Sequence, residues 1–568
     1  MKRSRLIDVR NLSFEYERGS IRGTTGALSD INLQVNSGEF VVITGPSGCG
    51  KSTLCKCLNG LIPHAIGGMM DGEVTVCGMN TTEHEVFEFA PHLCMVFQDP
   101  DNQLFSNDVE SEIAFGPENL GIGRHEVAER ISLAISSIGI EHLRDRLISE
   151  LSGGEKQRVA IASAIAMKPD ILVFDEPTSE LDPTGAFLLM DALKRLNKEF
   201  GITVILVEHR IERLLGVMKR LIVLKKGKIT CDGTPEEVFQ TGLENMGVFI
   251  PPLVQFSKKF GFPLHQYRSV DDLNPCCGWR STFNGHGGNG GSGGSRSREP
   301  AVSLKNIFYR YPGTKNQSAL SGVTLNFYCG EFTVIMGENG SGKTTLIKHL
   351  NGLLRPNKGE VILNGENITN KTIAEAGRTV GLVFQNASYQ LFEETIYGEL
   401  AFAPKNIGLS DDEIADCVNG VATSLGLEEL GLSSSPLVLS GGEMQRVAIA
   451  GVLTLSPEVI VMDEPTLGLD HGLKAKLAAM LNRLKAENRA IIVVTHDVEF
   501  AAAYAERVVL LSKGEIIGDG SAREVLTSEE LVKEASLHLP QATEIGKRLG
   551  LSNVLSVDEI EMRDQVKC

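Results

Sequence analysis

Two short glycine-rich segments carry the residues with the clearest potential for chemistry. They read GPSGCGKST, from Gly45 to Thr53, and GENGSGKTT, from Gly337 to Thr345. Both fit the pattern GxxxxGK[ST], in which glycines let backbone N–H groups curl around an anion, lysine adds a positive charge and the hydroxyl ligates Mg²⁺. A helix that begins here directs its N-terminal partial charge at the same anion. Each segment therefore predicts a site for the phosphates of a nucleotide.

An acidic pair ends an apolar run downstream of each glycine-rich segment. The two runs read ILVFDEP and VIVMDEP. Their aspartates, Asp175 and Asp463, are predicted to hold Mg²⁺. Their glutamates, Glu176 and Glu464, are placed to polarise an attacking water.

A histidine follows a later apolar run in both halves of the chain. His209 comes after VILV, and His496 comes after IIVV. A single histidine in such a place is more often structural. Its recurrence at the same point in both halves favours a contact with the γ-phosphate.

The motifs recur in the same order, so the chain is a tandem repeat. LSGGEKQR and LSGGEMQR lie between the glycine-rich segment and the acidic pair of each half. The distance from the serine of this motif to the aspartate is 23 residues in both halves, Ser152 to Asp175 and Ser440 to Asp463. The period of about 290 residues is too long for a solenoid and indicates a duplicated domain.

Apolar, β-branched runs predict the scaffold that positions these motifs. Phe40 to Thr44 and Phe332 to Met336 are predicted as buried strands that feed a turn and a helix. Strands that alternate with helical stretches predict an α/β fold with a parallel, helix-flanked sheet in each half. Each half also ends in a predicted small helical tail, between Pro251 and Gly261 in the first and between Pro540 and Gly550 in the second.

A glycine- and serine-rich stretch, NGHGGNGGSGGS, lies between the halves. It has too little apolar surface to order itself and is predicted to be a flexible tether that keeps one half near the other. The predicted organisation is a first nucleotide-binding domain at 1–268, a linker at 269–298, a second nucleotide-binding domain at 299–555 and a C-terminal tail at 556–568.

Composition argues against several classes of protein. The 568 residues include 55 basic and 72 acidic side chains, a net charge of −17, whereas a nucleic-acid-binding protein usually has a basic surplus. No run of about 18 apolar residues and no apolar stretch behind the basic N-terminus is present, so neither a membrane span nor a secretory signal is predicted. Eleven cysteines without CxxC pairs fit a reducing compartment better than a disulfide framework or a zinc site.

The ordered set of motifs resembles the ATP-binding cassette ATPases over nearly the whole chain. In that family the LSGG signature of one cassette caps the nucleotide held by the P-loop of the other. The resemblance thus implies two composite sites, one pairing Lys51 with Ser440 and one pairing Lys343 with Ser152. It implies two P-loop NTPase domains with helical signature subdomains, ATP as substrate, Mg²⁺ as cofactor and hydrolysis at both sites. Asp182 and Asp470 match a loop that crosses the interface of the two cassettes in the family.

The resemblance also assigns single positions. Gln98 and Gln385 fall at a glutamine that touches Mg²⁺ and the membrane partner, and both join the predicted catalytic set. Tyr16 and Tyr311 fall where an aromatic ring stacks on adenine, although a strand aromatic in a small core is the ordinary alternative. The implied nucleotide contacts are Tyr16, Gly45, Ser47, Gly48, Cys49, Gly50, Lys51, Ser52, Thr53, Ser152, Gly153, Gly154, Tyr311, Gly337, Asn339, Gly340, Ser341, Gly342, Lys343, Thr344, Thr345, Ser440, Gly441 and Gly442. The implied Mg²⁺ ligands are Ser52, Gln98, Asp175, Thr344, Gln385 and Asp463.

A narrower resemblance lies after the two glutamines. QDPDNQLFSNDVESEIAFGPENLG and QNASYQLFEETIYGELAFAPKNIG resemble segments of the ATPases of energy-coupling-factor transporters, which import vitamins and transition-metal ions into prokaryotic cells. The resemblance implies a groove for a coupling helix of an integral membrane component, a separate substrate-capture membrane protein and a place on the cytoplasmic face of the membrane. Pro100 and Asp101 are replaced by Ala387 and Ser388 in the second half. Either the second half lacks the groove of the family, or the two grooves accept different helices, and the second interpretation is the preferred hypothesis.

Three other functions remain open at this point. They are a conventional importer ATPase for sugars or peptides, a soluble tandem ATPase acting on ribosomes or DNA, and a regulatory module without turnover. The acidic balance and the glycine tether disfavour the second, and the intact acidic pairs disfavour the third. The cargo stays open among thiamine precursors, cobalt, nickel, biotin and riboflavin.

Cys49 lies inside the first glycine-rich segment and has two interpretations. The helix terminus and Lys51 favour a lowered thiol pKa and a reactive side chain. The alternative is a small residue tolerated at a variable position.

Overall fold

The computed structural model describes residues 4–17, 25–178, 181, 183–266, 268–273, 278–282, 299–313, 318–439 and 441–562. The chain divides into two compact units. The first comprises residues 1–272 together with 470–472, and the second comprises residues 273–469 and 473–568.

The first unit alternates strands and helices as the sequence predicts. Its strands are β1 Arg5–Tyr16, β2 Thr25–Asn36, β3 Phe40–Thr44, β4 Gly68–Val76, β5 Met79–Asn80, β6 Leu93–Val96, β7 Ile171–Asp175, β8 Thr203–Val207, β9 Arg220–Lys225 and β10 Lys228–Gly233. Its helices are α1 Lys51–Leu58, α2 Leu61–His64, α3 Val86–Phe89, α4 Val109–Asn119, α5 Arg124–Ile138, α6 Gly153–Ala166, α7 Pro183–Phe200, α8 Pro235–Phe239 and α9 Pro252–Phe260.

Two sheets form the first unit. One has the strand order β2-β1-β4-β5 and is antiparallel. The other has the order β10-β9-β3-β8-β7-β6, in which five strands are parallel and β10 is antiparallel to β9. Strands β3, β7 and β8 are buried along their whole length, as expected for the middle of a sheet covered on both faces. Helices α4, α5 and α6 pack on one another and form the helical subdomain.

The second unit repeats this plan. Its strands are β11 Trp279–Ser281, β12 Val302–Tyr309, β13 Leu320–Phe327, β14 Phe332–Met336, β15 Lys358–Leu363, β16 Glu366–Asn367, β17 Val380–Val383, β18 Val459–Asp463, β19 Ala490–Val494, β20 Arg507–Ser512, β21 Glu515–Ser521 and β22 Ile560–Met562. Its helices are α10 Lys343–Leu350, α11 Ile373–Thr379, α12 Ile396–Asn406, α13 Asp411–Leu425, α14 Gly441–Leu453, α15 His471–Ala486, α16 Val498–Tyr504, α17 Ala522–Thr527, α18 Glu529–Glu534 and α19 Gln541–Arg548.

The sheets of the second unit have the same order as those of the first. They are the antiparallel sheet β13-β12-β15-β16 and the larger sheet β17-β18-β19-β14-β20-β21. In both units the strand that feeds the glycine-rich segment lies in the interior of the larger sheet. Among the residues that the structure describes, no helix has the length and apolar character needed to cross a bilayer.

The predicted helical tails are present as α9 and α19. A further strand pair was not foreseen, because β11 and β22 pair antiparallel, with Trp279 opposite Met562. Strand β11 lies in the stretch predicted as a flexible linker, and β22 lies in the predicted tail. Strand β11 has only three residues, of which Trp279 is aromatic. Pairing with β22 satisfies their backbone hydrogen-bonding groups, so this short segment is ordered as a strand. The glycine-rich stretch itself lies outside the described residues, and the predicted domain boundaries stay predictions.

Candidate functional site

In each unit a buried strand runs into the glycine-rich segment and then into a helix, β3 into α1 and β14 into α10. Gly45 and Gly337 have the same φ of 150°. A Cβ atom at Gly45 would collide with the carbonyl oxygen of Leu224, and one at Gly337 with that of Leu511. Only glycine therefore fits at the first position of each segment, which leaves the backbone N–H groups of the loop accessible to an anion.

The lysine of each segment is buried and folds over its own loop. Lys51 Nζ donates to the carbonyl oxygen of Gly45 at 2.9 Å, and Lys343 Nζ donates to that of Gly337 at 3.0 Å. This places an ammonium group at the N-terminus of α1 and of α10, where the helix dipole adds to the positive potential. The arrangement suits a phosphate chain that lies along the loop.

Both aspartates of the acidic pairs end a central strand with a buried side chain. Their Oδ1 atoms have no hydrogen-bond partner among the described residues. Thr344 Oγ1 donates to Asp463 Oδ2 at 2.9 Å. Burial raises the pKa of Asp463 to about 6, against the opposing hydrogen bond from Thr344. Burial also raises the pKa of Asp175, and a hydrogen bond from Ser52 opposes it.

This donor set fits Mg²⁺. A carboxylate with an unused buried oxygen beside a hydroxyl offers the hard oxygen ligands that this ion prefers. The residues that would hold it are Ser52 with Asp175 in the first unit and Thr344 with Asp463 in the second. A bound cation would also compensate the cost of keeping each carboxylate ionised in a buried place.

The two glutamates of the acidic pairs have left-handed backbones. Glu176 has a φ of 50° and Glu464 a φ of 49°, a conformation that costs free energy in residues with a Cβ and recurs at functional sites. The strained turn follows directly on each strand, so it points the glutamate away from the direction of the strand. The same device appears in both units.

Each histidine contacts the glutamate of its own unit. His496 Nδ1 donates to Glu464 Oε2 at 3.0 Å. His209 Nε2 lies 2.9 Å from Glu176 Oε1, but the ring is not aligned for a hydrogen bond. Burial acts to raise the pKa of both glutamates, yet the histidine contact and the nearby charges outweigh it, so both pKa values are lowered. Both carboxylates are thus ionised at neutral pH and available to polarise a water.

The glutamine and tyrosine predictions fall beside the same loops. Gln98 Nε2 donates to Glu176 Oε2 at 3.5 Å, and Gln385 follows β17 at the matching place. Tyr16 shares a hydrogen bond of 2.9 Å with Thr53 Oγ1. Tyr311 shares one of 3.1 Å with Thr345 Oγ1. Each tyrosine also meets a neighbouring aromatic ring edge-on, at 4.9 and 5.0 Å between centroids, so its ring is held next to the P-loop helix.

The signature motifs begin helices. Ser152 caps α6, where its backbone N and Oγ both donate to Glu155 Oε2 at 2.8 Å. Gly153 and Gly154 form the first turn of α6, and Gly441 begins α14 in the second unit. Ser440 and Asp182 lie outside the described residues. Within the first unit, which residues 470–472 join, the backbone N of Ser47 donates to Asp470 Oδ2 at 2.7 Å.

Cys49 does not have the environment of an activated thiol. Its side chain is buried, and burial raises its pKa against the opposing charge of Lys51. A raised pKa keeps the sulfur protonated at neutral pH, where the thiol is a poor nucleophile. The structure therefore favours the interpretation of Cys49 as a small residue that fills its position.

Sequence reasoning missed a buried acid behind the first histidine. Glu208 Oε2 accepts a hydrogen bond of 2.5 Å from Thr178 Oγ1. Its Oε1 accepts from the backbone N of His209 at 2.8 Å and from that of Arg210 at 3.1 Å. The carboxylate thus fixes the backbone that carries the histidine. One signal in the sequence could have indicated this role. The residue before the histidine differs between the halves, which read VEH and VTH.

Comparison with known proteins indicates the family of the chain. The sequence profile of the ABC transporter family matches residues 28–179 and 320–467. An ABC transporter ATP-binding protein of Caldanaerobacter subterraneus is 39% identical over 98% of this chain and 98% of its own length. A Bacillus subtilis relative, named for HMP/thiamine import, is 33% identical over 94% of this chain and 95% of its own length. The structure of cbiO1 from Clostridium perfringens, described as part of the ABC transporter complex cbiONQ, is 32% identical and covers 44% of this chain and 99% of its own, with a TM-score of 0.39.

The fold and the duplicated site define a tandem nucleotide-binding protein with two P-loop domains. The chain belongs to the ABC transporter family and is an ATP-binding subunit that hydrolyses ATP. The prediction of the family and that of the fold class are both confirmed. The roles of single site residues stay predictions that the geometry above makes specific.

Proposed function

We propose that this chain is the ATPase of an energy-coupling-factor type importer for a vitamin or a transition-metal ion. It would lie on the cytoplasmic face of the membrane and drive an integral transmembrane component that works with a separate substrate-capture membrane protein. No nucleic-acid partner is expected. The observation that carries the proposal is a pair of exposed phenylalanine rings, built in the same way in both units.

Each phenylalanine pair joins the segment after the glutamine to the helix that follows it. Phe105 and Phe115 of the first unit are 63% and 46% exposed, and their ring centroids are 4.4 Å apart. Phe392 and Phe402 of the second unit are 62% and 41% exposed, with centroids 4.6 Å apart. Clusters of solvent-exposed aromatic rings mark protein surfaces that a partner covers. An apolar helix end of a membrane protein is the partner that suits them.

A buried carboxylate holds each pair in place. Glu112 Oε2 accepts hydrogen bonds from the backbone N of Phe105 at 3.2 Å and from that of Ser106 at 2.8 Å. Glu399 Oε2 accepts from Phe392 at 3.0 Å and from the next backbone N at 2.9 Å. A carboxylate that two N–H groups satisfy is rigid, because moving it would leave buried polar groups without partners. This rigidity suits a surface that transmits force.

The two halves differ in charge at the position four residues before the first phenylalanine of each pair. Asp101 Oδ1 accepts a hydrogen bond of 2.5 Å from Lys156 Nζ on α6. At the matching positions the second half has Ser388 and Met444. Ser388 Oγ donates instead to Asn386 Oδ1 at 2.6 Å. This difference supports the prediction that the grooves accept two different helices.

The HMP/thiamine name of the Bacillus subtilis relative supports a vitamin precursor as one class of cargo. The cargo itself would be recognised by the membrane proteins, since the sites described above suit phosphate and were not predicted to hold a vitamin. Because the membrane proteins would select the cargo, the sequence of the ATPase does not identify it.

The proposed mechanism uses two composite ATP sites. Each P-loop would hold one ATP, and the helix N-terminus of the other signature motif would cap its phosphates. Hydrolysis, assisted by Glu176 and Glu464, and loss of phosphate would remove the charge that holds the two halves together. The grooves would then pass the opening motion to the membrane partner. Mg²⁺ would supply charge compensation for the phosphates.

The test replaces Phe105 and Phe392 by aspartate, singly and together, in the full chain expressed with its membrane partners. The proposal predicts that the double variant no longer co-purifies with the integral membrane component from detergent-solubilised membranes. It also predicts that the isolated variant still hydrolyses ATP. Phe200→Ser is the matched control, because Phe200 is 59% exposed at the end of α7 and outside both pairs. Retention of the complex by the double variant, or co-sedimentation of the chain with ribosomes or DNA, contradicts the proposal.

A second experiment isolates the difference between the grooves. Asp101→Ser combined with Lys156→Met gives the first groove the polar pattern of the second. If the grooves accept different helices, this double variant changes assembly with the membrane component, whereas Ser388→Ala does not. Unchanged co-purification of the double variant counts against two distinct helices.

A further inference from the structure

Three side chains that can bind metals meet in the first unit, outside the P-loop site. Cys77 lies in the turn between β4 and β5, His92 comes directly before β6, and Asp170 comes directly before β7. His92 and Asp170 stand at the amino ends of the parallel strands β6 and β7, whereas Asp175 stands at the carboxyl end of β7. A strand of five residues spans about 16 Å, so the two places are on opposite edges of the sheet.

The three side chains are close enough to share one ion. One ligand atom from each lies within 4.8 Å of the other two. His92 Nδ1 lies 2.9 Å from Asp170 Oδ2. Ligands of a tetrahedral ion with bonds of 2.0–2.3 Å stand roughly 3.3–3.8 Å apart. Small rotations reach that spacing, and side chains that are 43% exposed at His92 and 57% at Asp170 have room to make them.

The backbone holds all three residues in fixed places. Cys77 has a left-handed φ of 50°, and its N donates to the carbonyl oxygen of Leu6 at 2.7 Å. The carbonyl oxygen of His92 accepts from the N of Ile171 at 2.9 Å. The carbonyl oxygen of Asp170 accepts from Thr203 at 3.0 Å. A site with preset ligand positions loses little entropy when an ion binds.

At the matching place, the second unit connects its small sheet to its large sheet through a different contact. Asn364 takes the place of Cys77 and has a left-handed φ of 48°. Its Nδ2 donates to Oε2 of Glu458, the residue before β18, at 2.7 Å. Thr379 takes the place of His92. A direct hydrogen bond therefore joins the small sheet to the large one in the second unit, where the first unit has a thiol, an imidazole and a carboxylate.

We propose that Cys77, His92 and Asp170 form a Zn²⁺ site that joins the two sheets of the first unit, with water at the fourth position. Sulfur, nitrogen and carboxylate oxygen are the ligand types that Zn²⁺ accepts together, whereas Mg²⁺ and Ca²⁺ take oxygen ligands. The half-exposed imidazole and carboxylate leave a path from solvent. The site is separate from the predicted Mg²⁺ positions and does not depend on the proposed transport function.

Binding at this site exchanges a proton for the ion. Burial, together with the nearby carboxylate of Asp170, raises the pKa of Cys77 to about 11, so the thiol is protonated at neutral pH. Coordination forms the Zn–S bond and releases that proton to solvent. Because the folded site binds the ion with ligands from three separate elements, Zn²⁺ stabilises the first unit against unfolding.

The test uses the full chain, stripped of metal with EDTA, and Co²⁺ as a spectroscopic probe. Wild type is expected to show a thiolate-to-cobalt charge-transfer band that Zn²⁺ removes at one equivalent. Cys77→Ser is expected to lose the band. His92→Asn and Asp170→Asn are expected to bind at least about tenfold more weakly. Cys94→Ser is the control, since the Cys94 thiol donates to the carbonyl oxygen of Ala90 and lies outside the cluster.

Thermal unfolding provides the second readout. Zn²⁺ is expected to raise the Tm of wild type and of Cys94→Ser by the same amount, and to raise that of His92→Asn by less. His92 is exposed enough that its replacement does not threaten folding. A charge-transfer band that persists in Cys77→Ser, or an equal Zn²⁺ affinity in wild type and His92→Asn, overturns the proposal.

Discussion

In the first unit the residue before the histidine is Glu208, a buried acid; in the second unit it is Thr495, a buried hydroxyl. Glu208 satisfies two backbone N–H groups and the hydroxyl of Thr178. Thr495 shares a hydrogen bond of 2.7 Å with Thr466 Oγ1 and accepts from the backbone N of Asp497 at 3.1 Å. Glu208 thus accepts from two backbone N–H groups and a threonine hydroxyl, whereas Thr495 accepts from one backbone N–H group and bonds to the matching threonine hydroxyl.

A second contrast lies on the helix behind the P-loop. Cys57 of α1 and His349 of α10 occupy the same position, and both are fully buried. His349 Nδ1 donates to the carbonyl oxygen of Thr345 at 2.7 Å, and its ring stands edge-on to Tyr309 at 4.9 Å. Its Nε2 has no hydrogen-bond partner among the described residues. The helix after the P-loop therefore accommodates either a thiol or a neutral imidazole at this position, while the P-loop before it keeps the same pattern of glycines and lysine.

The contrast shows which layer of the site is constrained. The lysine, the acidic pair and the histidine predicted to act on phosphate, Mg²⁺ and water are identical in both units, although the two histidines approach their glutamates through different ring nitrogens. The groups behind them differ, because they only have to fill volume and satisfy buried polar atoms, which several side chains can do. Three predictions test whether this boundary between constrained and variable positions is correct.

The largest expected effect is on hydrolysis. Glu176→Gln and Glu464→Gln each remove a carboxylate that polarises water, and the double variant should lose about 10²–10⁴-fold in ATPase rate while it retains ATP. Steady-state hydrolysis and filter binding of labelled ATP measure the two quantities. Equal losses in the single variants would support two equivalent sites. Substantial turnover by the double variant rejects these glutamates as the residues that polarise water.

The next effect is on local stability. Glu208→Ala leaves the backbone N–H groups of His209 and Arg210 without an acceptor, at about 1–3 kcal/mol for each buried group. Thr495→Val, the matched change in the second unit, removes neutral partners and should cost about 1 kcal/mol. Hydrogen exchange of the segments after β8 and β19 measures both losses. Equal loss of protection in the two variants would show that the charged group does no more than the hydroxyl.

The smallest effect is a dependence on pH. Burial lowers the pKa of His349 below its ordinary value of 6.5. Below pH 6.5 the unfolded chain therefore takes up a proton that the folded chain refuses, so stability falls by up to about 1.4 kcal/mol per pH unit. Above pH 6.5 the contribution of His349 is constant. Unfolding of the second unit, followed from pH 7.5 to 5.5, should show this loss in wild type.

Two variants make the pH experiment specific. His349→Cys installs the side chain of the first unit and should flatten the pH profile, whatever its effect on stability at pH 7.5. Cys57→Ala is the control, because burial raises the pKa of Cys57 to about 12 and its thiol does not titrate in this range. A profile of His349→Cys that matches wild type would place the titrating group elsewhere.

The sequence predicted the strands, the P-loops and the signature helices because each depends on local order. β3 and β14 have the predicted bounds, and both acidic pairs end strands as expected. Hydrogen bonds between distant residues escaped prediction. Lys156 and Asp101 are 55 positions apart, and nothing in either local pattern indicates that they pair. The strand pair β11–β22 joins segments that each looked like loop or tail.

By itself the sequence determined the duplicated P-loop fold, the class of chemistry and the residues that would face phosphate, because spacing along a strand, turn and helix fixes those positions. Only the tertiary structure decided that Glu208 supports His209, that a phenylalanine pair rests on each buried glutamate, and that Cys77 meets His92 and Asp170. These groups come together because the sheets bring distant segments of the chain to one place. Contacts between distant residues produce no periodic pattern in the sequence, so the sequence alone does not predict them.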